Sequence, residues 1–504
     1  MTLDDKVSLL SGEDFWNLTE LKQHDIGSIM VADGPHGLRK QPAEQDHLGV
    51  GGSIPATCFP PAVTSASSWD RDLLYAVGQA LGDECRTEEV SVLLGPGLNI
   101  KRSPLCGRNF EYFSEDPYLS GHMAASLING IQNKGIGACM KHFAANNQEY
   151  FRFVVDTIVD ERTLREIYLS GFEMTVRESM PWTVMCSYNM INGVHSSDNT
   201  RLLTDILRKE WGYTGLVMTD WGAMNDRVQG VRAGLDLEMP GSNGLNDRKV
   251  AEAVRSGELS EELVDRSVRR VLELVMKSTQ VKTEKYTFDT DAHHELARRT
   301  AEESMVLLRN EENILPLKGD ANVAVIGDMA RDVRIQGAGS SQINPTRIDI
   351  PFTCLCDQAG RELPFARGYD AAGDSPDRAL VEKALATAEN ADAVIVFAGL
   401  TRTYESEGFD REHMRLPQNQ TDLINALADT GKRIIVVLTN GSPVEMPWID
   451  KTAAVLEGYL GGQGGGYAIA RILYGAVNPS GKLAETFPVR LEDTPCYRYF
   501  PGSP

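Results

Sequence analysis

The side chains best suited to chemistry follow short apolar runs in the first half of the sequence. Asp220 comes directly after the run 216–219, at the expected carboxyl end of a strand buried in a parallel sheet. A lone aspartate at such a place is typical of a helix N-cap. The polar strand ends are Asp33, Lys141 with His142, Ser187 with Tyr188 and Asn189, and Asp220 with Trp221. Because the ends of parallel strands meet at one rim of a barrel, this set predicts a single pocket there.

A second group of carboxylates lies in the second half, in the segment TRTYESEGFDREHMRLP at 401–417. Glu405 and Glu407 are separated by one residue and stand beside Gly408. A solvated charged loop would have this composition. A mobile loop that brings an acid to the pocket of another domain would have it as well.

The long loop 101–121 is rich in arginine, glutamate and aromatic residues. For Arg102, Glu111 and Glu115 we expect a mutually paired ion network that supports a pocket wall. Arg108, between Gly107 and Asn109, is the exception and is a candidate for the pocket itself.

Strand-helix units that recur up to about residue 281 position the first group, and they predict a (β/α)8-type barrel. Only seven strands are recognised, so the barrel is expected to be irregular or incomplete. They are 27–34, 62–67, 90–97, 136–143, 183–189, 215–220 and 235–240. Amphipathic stretches at 71–89, 161–178 and 201–211 are expected to form helices between them.

A polar linker is expected at 282–297, which separates a barrel domain at 1–281 from a second domain at 298–504. The second domain should open with a helix at 294–310 and continue as an α/β sandwich with a mostly parallel sheet. Its expected strands are 322–328, 391–399, 433–443 and 453–462. The glycines after the first of these strands lack the G-x-G-x-x-G pattern, so a nucleotide site is a weak alternative.

Composition excludes several classes of partner. The 50 basic and 71 acidic residues give a net charge of −21, which repels nucleic acid and anionic membranes. The eight scattered cysteines predict buried free thiols in a reducing compartment, and neither a metal site nor a cofactor is expected. The amino terminus lacks a signal-peptide pattern, so a cytoplasmic location is expected. Assembly into a homo-oligomer is possible on this sequence.

Seven segments resemble glycoside hydrolase family 3, the family of many β-glucosidases and β-xylosidases. They occur in the order of the family and span nearly the whole chain. The segments are ADGPHGLR at 32–39, KRSPLCGRNFEYFSEDP at 101–117, KHFAANNQE at 141–149, VMCSYNMING at 184–193, LLTDILRKEWGYTGLVMTDWGA at 202–223, ESEGFDR at 405–411 and GAVNPSGKLAETFP at 475–488. The resemblance implies a barrel followed by an α/β sandwich, with the active site at their junction.

The resemblance also implies roles for individual residues. Asp220 matches the catalytic nucleophile and Glu407 the acid/base, with Glu405 as the alternative acid. The sugar subsite is implied to include Asp33, Arg108, Lys141, His142, Met185, Tyr188 and Trp221. For Lys141 and His142, an internal pair that fixes the end of a strand is the alternative.

The implied reaction is retaining hydrolysis, which needs the two carboxyl groups about 5–5.5 Å apart. We expect Lys141 and Arg108 to lower the pKa of Asp220, and burial with the charge of Asp220 to raise the pKa of Glu407.

Because AANNQE follows KHF and ESEG is present, the glucosidase-like branch is favoured over the N-acetylglucosaminidase branch. The expected substrate is a small β-glucoside cleaved from its non-reducing end. A β-xylosidase is the alternative within the family, and a non-catalytic sugar- or nucleotide-binding scaffold is the alternative outside it. Many relatives continue into a fibronectin-like third domain, whereas this sequence ends at Pro504, so that domain is expected to be either naturally absent or removed.

Overall fold

The computed structural model describes residues 1–42, 52–279 and 285–502. The chain folds as two compact units. The first contains Met1–Ala56, Asp70–Ile100 and Asp116–Asp289, and the second contains Thr57–Trp69, Lys101–Glu115 and Thr290–Pro504. Two short segments from the first part of the sequence therefore group with the second unit.

The expected linker 282–297 stays a prediction. Its residues 282–284 lie outside the described ranges, and helix Thr290–Ser304 begins within it.

Five parallel strands form the main sheet of the first unit, and they are adjacent in chain order. They are β1 (Val31–Asp33), β2 (Val92–Leu94), β3 (Gly137–Phe143), β4 (Thr183–Cys186) and β5 (Leu216–Thr219). Every residue of these strands is buried, as expected when helices cover a parallel sheet. The run expected at 235–240 continues the order with a parallel bridge between Leu237 and Met218, and Glu238 bridges Ser11.

Helices alternate with these strands. They span Leu3–Ser8, Arg71–Thr87, Pro117–Asn133, Glu161–Thr163, Leu164–Leu169, Ser170–Ser179, Arg201–Glu210, Arg227–Ala233, Leu245–Arg255 and Glu261–Thr279. A small separate sheet joins Asp156–Thr157, Met190–Ile191 and Val194–His195. The alternation of strands and helices agrees with the expected barrel-type fold.

One expected strand of the barrel is wrong. Residues 62–67 belong to the second unit, where they form helix Ala62–Ser65 and a further helical turn, Ala66–Ser68. Pro61 precedes the first helical residue, and the segment is rich in small residues that a tight helical turn accommodates.

A six-stranded sheet forms the second unit. In chain order its strands are β6 (Val306–Asn310), β7 (Val323–Ile326), β8 (Phe365–Ala366), β9 (Ala393–Gly399), β10 (Arg433–Thr439) and β11 (Ala454–Glu457). Their order across the sheet is β6-β11-β10-β9-β7-β8, and every pair is parallel except β6 with β11. The expected open, mostly parallel sheet is thus present.

The helices of this unit span Ala62–Ser65, Thr290–Ser304, Pro351–Ala359, Arg378–Ala388, Gln418–Ala428 and Gly465–Leu473. The helix expected at 294–310 ends at Ser304, because residues 306–310 pair antiparallel with β11. Tertiary pairing therefore overrides the helical pattern over that last turn and a half.

All eight cysteines are free thiols, and all but the half-buried Cys356 are buried. Across residues 1–42, 52–279 and 285–502, no helix has the length and apolar content needed to cross a bilayer.

Candidate functional site

Asp220 lies just past the end of β5 and is largely buried. Its Oδ1 atom accepts a hydrogen bond from the Tyr188 hydroxyl (2.9 Å) and another from the backbone N–H of Trp221 (2.7 Å). Its Oδ2 atom is 3.6 Å from Nε2 of His142. These donors stabilise the ionised form of the carboxylate and fix its orientation.

Asp33 is the centre of a second polar group in the same unit. Its Oδ1 atom is 3.6 Å from Nζ of Lys141, and its Oδ2 atom is 3.7 Å from Nη1 of Arg39. Lys141 thus approaches Asp33, and the next residue, His142, approaches Asp220. The three strand ends β1, β3 and β5 thus supply charged side chains that pair with one another.

The backbone of His142 is held by Asn99. The His142 N–H donates to Oδ1 of Asn99 (2.8 Å), and Nδ2 of Asn99 donates to the His142 carbonyl (2.9 Å). This reciprocal pair of hydrogen bonds fixes the backbone of His142 and so helps to position its imidazole ring.

Met185 and Trp221 have more apolar surroundings. Met185 lies opposite Met218 in the register of β4 with β5 and belongs to the apolar core of the first unit. The Trp221 indole packs 5.5 Å from the ring of Trp16, and its Nε1 donates to the carbonyl of Phe15. The Trp221 ring is therefore held rigidly beside Asp220.

Glu407 is in the second unit, in the loop that follows β9. Its Oε2 atom accepts a hydrogen bond from the backbone N–H of Ser340 (2.6 Å), and its Oε1 atom is 3.6 Å from Nη1 of Arg108. The side chain remains 15% exposed. Glu407 is thus a partly accessible carboxyl group with a cation beside it.

Glu405 has a different environment, with no exposed surface. It pairs with Arg334, and it accepts hydrogen bonds from the N–H of Gly441 and from the Ser442 hydroxyl (2.7 Å). A carboxylate enclosed in this way is suited to anchoring a loop, not to exchanging protons with a ligand.

Two glycines allow the 405–411 segment to pack closely on its neighbours. A side chain at Gly107 would collide with the carbonyl oxygens of Ser406 and Phe409, and one at Gly339 would collide with the Glu407 side chain. The N–H of Gly107 also donates to Oδ1 of Asp410 (2.9 Å). The absence of a Cβ at these positions lets the backbone approach the loop.

The ion network expected around 101–121 forms only in part. Arg108 and Glu111 are fully buried and pair at 2.6 Å. Glu115 instead accepts hydrogen bonds from Thr486, and Arg102 is exposed and makes no ion pair with another described residue. Glu111, whose partner Arg108 also approaches Glu407, therefore supports the candidate acid indirectly.

The structure thus places the predicted residues in two groups. Those in the first unit are Asp33, Lys141, His142, Met185, Tyr188, Asp220 and Trp221, and those in the second are Arg108 and Glu407. Within the described ranges, no three His, Cys, Asp or Glu side chains are arranged to share a metal ion.

Sequence reasoning missed several supporting residues. Arg39 stands at the end of the segment ADGPHGLR and could have been found there. The local sequence around Asn99, Arg334 and Ser442 contains no motif that indicates their roles. Their partners are distant in the chain, by 43, 71 and 37 residues respectively.

Both halves of the chain match known family models. Residues 31–274 match the glycosyl hydrolase family 3 N terminal domain, and residues 305–503 match the glycosyl hydrolase family 3 C-terminal domain.

Among curated proteins, the chain is 56% identical to thermostable beta-glucosidase B of Acetivibrio thermocellus, over 100% of this chain and 67% of that protein. It is 46% identical to an exo-α-(1→6)-L-arabinopyranosidase of Bifidobacterium longum, over 100% of this chain and 68% of that protein.

Two solved structures have the same fold. The GH3 beta-glucosidase of Bifidobacterium adolescentis matches with a TM-score of 0.95 at 48% identity, over all of this chain and 73% of that one. Beta-glucosidase 3B of Thermotoga neapolitana in complex with glucose matches with a TM-score of 0.90 at 37% identity, over all of this chain and 77% of that one. With both domains matched at these identities, the chain belongs to glycosyl hydrolase family 3.

Proposed function

We propose that this chain is a retaining, exo-acting β-glucosidase that releases glucose from the non-reducing end of small β-glucosides. The observation that carries the proposal is the environment of Asp220. Its carboxylate is held by Tyr188 and the Trp221 N–H, and the Asp33–Lys141 pair lies at the ends of β1 and β3 in the same sheet. The 56% identical relative named a beta-glucosidase supports the choice of sugar.

In this proposal Asp220 attacks the anomeric carbon and forms a glycosyl-enzyme. Two hydrogen-bond donors on Oδ1 hold the carboxylate ionised and aimed, which is what a nucleophile requires. Lys141 and His142 would donate hydrogen bonds to sugar hydroxyls, and the Asp33 carboxylate would accept hydrogen bonds from them, which would orient the ring.

Glu407 is the proposed acid/base. Retention requires it to protonate the leaving oxygen and later to activate water at the same anomeric carbon. Its partial exposure and the enclosure of Glu405 favour Glu407 for this role. Arg108 would stabilise the ionised form of Glu407 that exists after proton donation.

A covalent trap tests the nucleophile. Incubation with an activated 2-deoxy-2-fluoro-β-glucoside should add one fluoroglucosyl group to the peptide that contains Asp220, as seen by mass spectrometry. Asp220→Ala should neither react nor turn over any glycoside, while Asp205→Ala, at an exposed helix position, should behave as the wild type. Labelling of another residue would overturn the assignment.

A panel of four aryl glycosides tests the sugar. β-Glucoside and β-galactoside carry a hydroxymethyl group that β-xyloside and α-L-arabinopyranoside lack, and each pair differs in the orientation of one hydroxyl. We expect kcat/KM to be highest for the glucoside, by about tenfold or more over the xyloside.

The 46% identical relative named an arabinopyranosidase makes the α-L-arabinopyranoside the second candidate substrate. A higher kcat/KM for that glycoside or for the xyloside would replace the proposed substrate. Sugar binding without turnover of any of the four glycosides would contradict the proposed enzyme activity and would favour a non-catalytic binding scaffold.

A further inference from the structure

An exposed aromatic segment lies close to the proposed nucleophile in the first unit. In the segment 150–154, the side chains of Tyr150, Phe151, Phe153 and Val154 are each about half exposed. Exposed apolar residues that cluster in this way are more typical of a ligand or partner surface than of ordinary protein surface.

Phe153 connects this segment to the site. Its ring centroid is 4.6 Å from that of Tyr188, at an interplanar angle of 59°. The hydroxyl of Tyr188 donates to Asp220, so only one side chain separates the Phe153 ring from the carboxylate. Phe153 is nevertheless 51% exposed, so much of the residue is available to a ligand.

Arg152 holds the two rings in place. Its guanidinium carbon lies 4.8 Å from the Tyr188 centroid and 5.2 Å from the Phe153 centroid. Nη1 of Arg152 pairs with the buried Glu149 at 2.7 Å. The arginine is therefore fixed at its charged end while it contacts both aromatic rings.

The backbone of the segment is equally well fixed. The N–H groups of Val154 and Val155 both donate to the carbonyl of Phe151, and the Val155 carbonyl accepts from the N–H of Met190. A ring on such a support can bind a ligand without a large loss of conformational entropy.

We propose that Phe153 forms a platform for the leaving group of the substrate, and that the platform selects ring-shaped leaving groups with an apolar face. An aryl group or a second sugar ring has such a face, whereas a methyl group does not. This inference rests on the proposed glycosidase activity. The glucosyl ring must place its anomeric carbon at Asp220, so the exposed ring one side chain away can contact the group on the other side of the scissile bond.

Steady-state kinetics of Phe153→Ala test the platform on phenyl β-glucoside, cellobiose and methyl β-glucoside. The ratio of wild-type to variant kcat/KM is compared for each, because this ratio cancels the intrinsic reactivity of the leaving group. We expect a loss of about tenfold for the phenyl glucoside and cellobiose and less than about twofold for the methyl glucoside, as expected for loss of one aromatic contact.

Phe151→Ala is the matched control, since Phe151 is exposed in the same segment and contacts Tyr150. It should leave all three ratios near one. Phe153→Tyr should restore the preference for ring-shaped leaving groups, and inhibition by glucose should be the same in every variant.

Equal losses on all three substrates would overturn the proposal, because Phe153 would then act only by positioning Tyr188. No loss on any substrate would overturn it too. A loss on the phenyl glucoside alone would restrict the platform to aryl groups and remove the sugar from its ligands. If the wild type hydrolyses none of the three, the proposed activity fails, and that result is distinct from each of these outcomes.

Discussion

The Tyr188 hydroxyl donates a 2.9 Å hydrogen bond to Oδ1 of Asp220, across 32 residues of sequence. Both residues are buried, so water competes little with this bond. The tyrosine therefore fixes the direction of the carboxylate.

Tyr188→Phe removes this hydrogen bond and keeps the ring that packs on Phe153. We expect kcat/KM for aryl β-glucosides to decrease about 10- to 100-fold, which is the range for a hydrogen bond to a charged group. Tyr118→Phe, at an exposed helix position, is the control and should retain wild-type activity. Wild-type kinetics in Tyr188→Phe would contradict a role for the hydroxyl.

Glu407→Gln and Glu405→Gln should differ in how their activity depends on the leaving group of the substrate. The first should hydrolyse substrates with activated leaving groups much faster than those with poor ones, because only the latter need a proton. The measurement is the slope of log kcat/KM against leaving-group pKa. If Glu405→Gln gives the steeper slope, the acid is wrongly assigned.

Glu405→Gln should instead reduce stability, because it leaves the largely enclosed guanidinium of Arg334, 11% exposed, without its charge partner. Removing one partner of a buried ion pair costs about 3–5 kcal/mol. Differential scanning calorimetry should show a lower unfolding temperature for this variant than for Glu407→Gln. Equal unfolding temperatures would argue against the anchoring role of Glu405.

Glu457 should make stability depend on pH. Burial raises its pKa well above the ordinary value, so the folded protein keeps a proton there that the unfolded chain loses above about pH 4.5. Below that pH, Glu457 is protonated in both states and does not change the free energy of unfolding. As the pH rises toward the pKa of Glu457 in the folded protein, the free energy of unfolding decreases.

Glu457→Gln cannot ionise, so its unfolding temperature relative to wild type should rise between pH 5 and 8. The free-energy difference should change by at most about 1.4 kcal/mol per pH unit, the limit for one proton. Glu262→Gln, on an exposed helix face, is the control. A difference that does not vary with pH would contradict the prediction.

Lys101 and Glu485 form a buried ion pair at 3.0 Å. Burial lowers the pKa of Lys101 and raises that of Glu485, so desolvation outweighs the mutual attraction of the pair. Lys101→Met or Glu485→Leu alone should each destabilise the protein by about 3–5 kcal/mol, because each leaves a buried charge unpaired.

The double variant Lys101→Met/Glu485→Leu should be more stable than either single variant, since it removes both buried charges. Thermal unfolding of the wild type, the two single variants and the double variant gives the coupling free energy between Lys101 and Glu485. Additive losses would show that the two side chains do not act as a pair.

Local pattern alone predicted the carboxyl ends of the strands that carry Asp33, Lys141 and Asp220. Short apolar runs bounded by glycine and polar residues specify buried parallel strands, and the order of strands and helices then specifies the class of fold. The resemblance of seven segments to one family predicted family membership, because those segments extend over nearly the whole chain.

Only the tertiary structure decided which charged groups meet. Arg108 pairs with Glu111 and approaches Glu407, almost 300 residues later, and Glu405 is enclosed while Glu407 stays accessible. Residues 306–310 become a strand because β11 offers an antiparallel partner, and Phe153 is placed one side chain from Asp220. Contacts of this kind depend on the path of the whole chain through space, and neither composition nor local spacing contains that path.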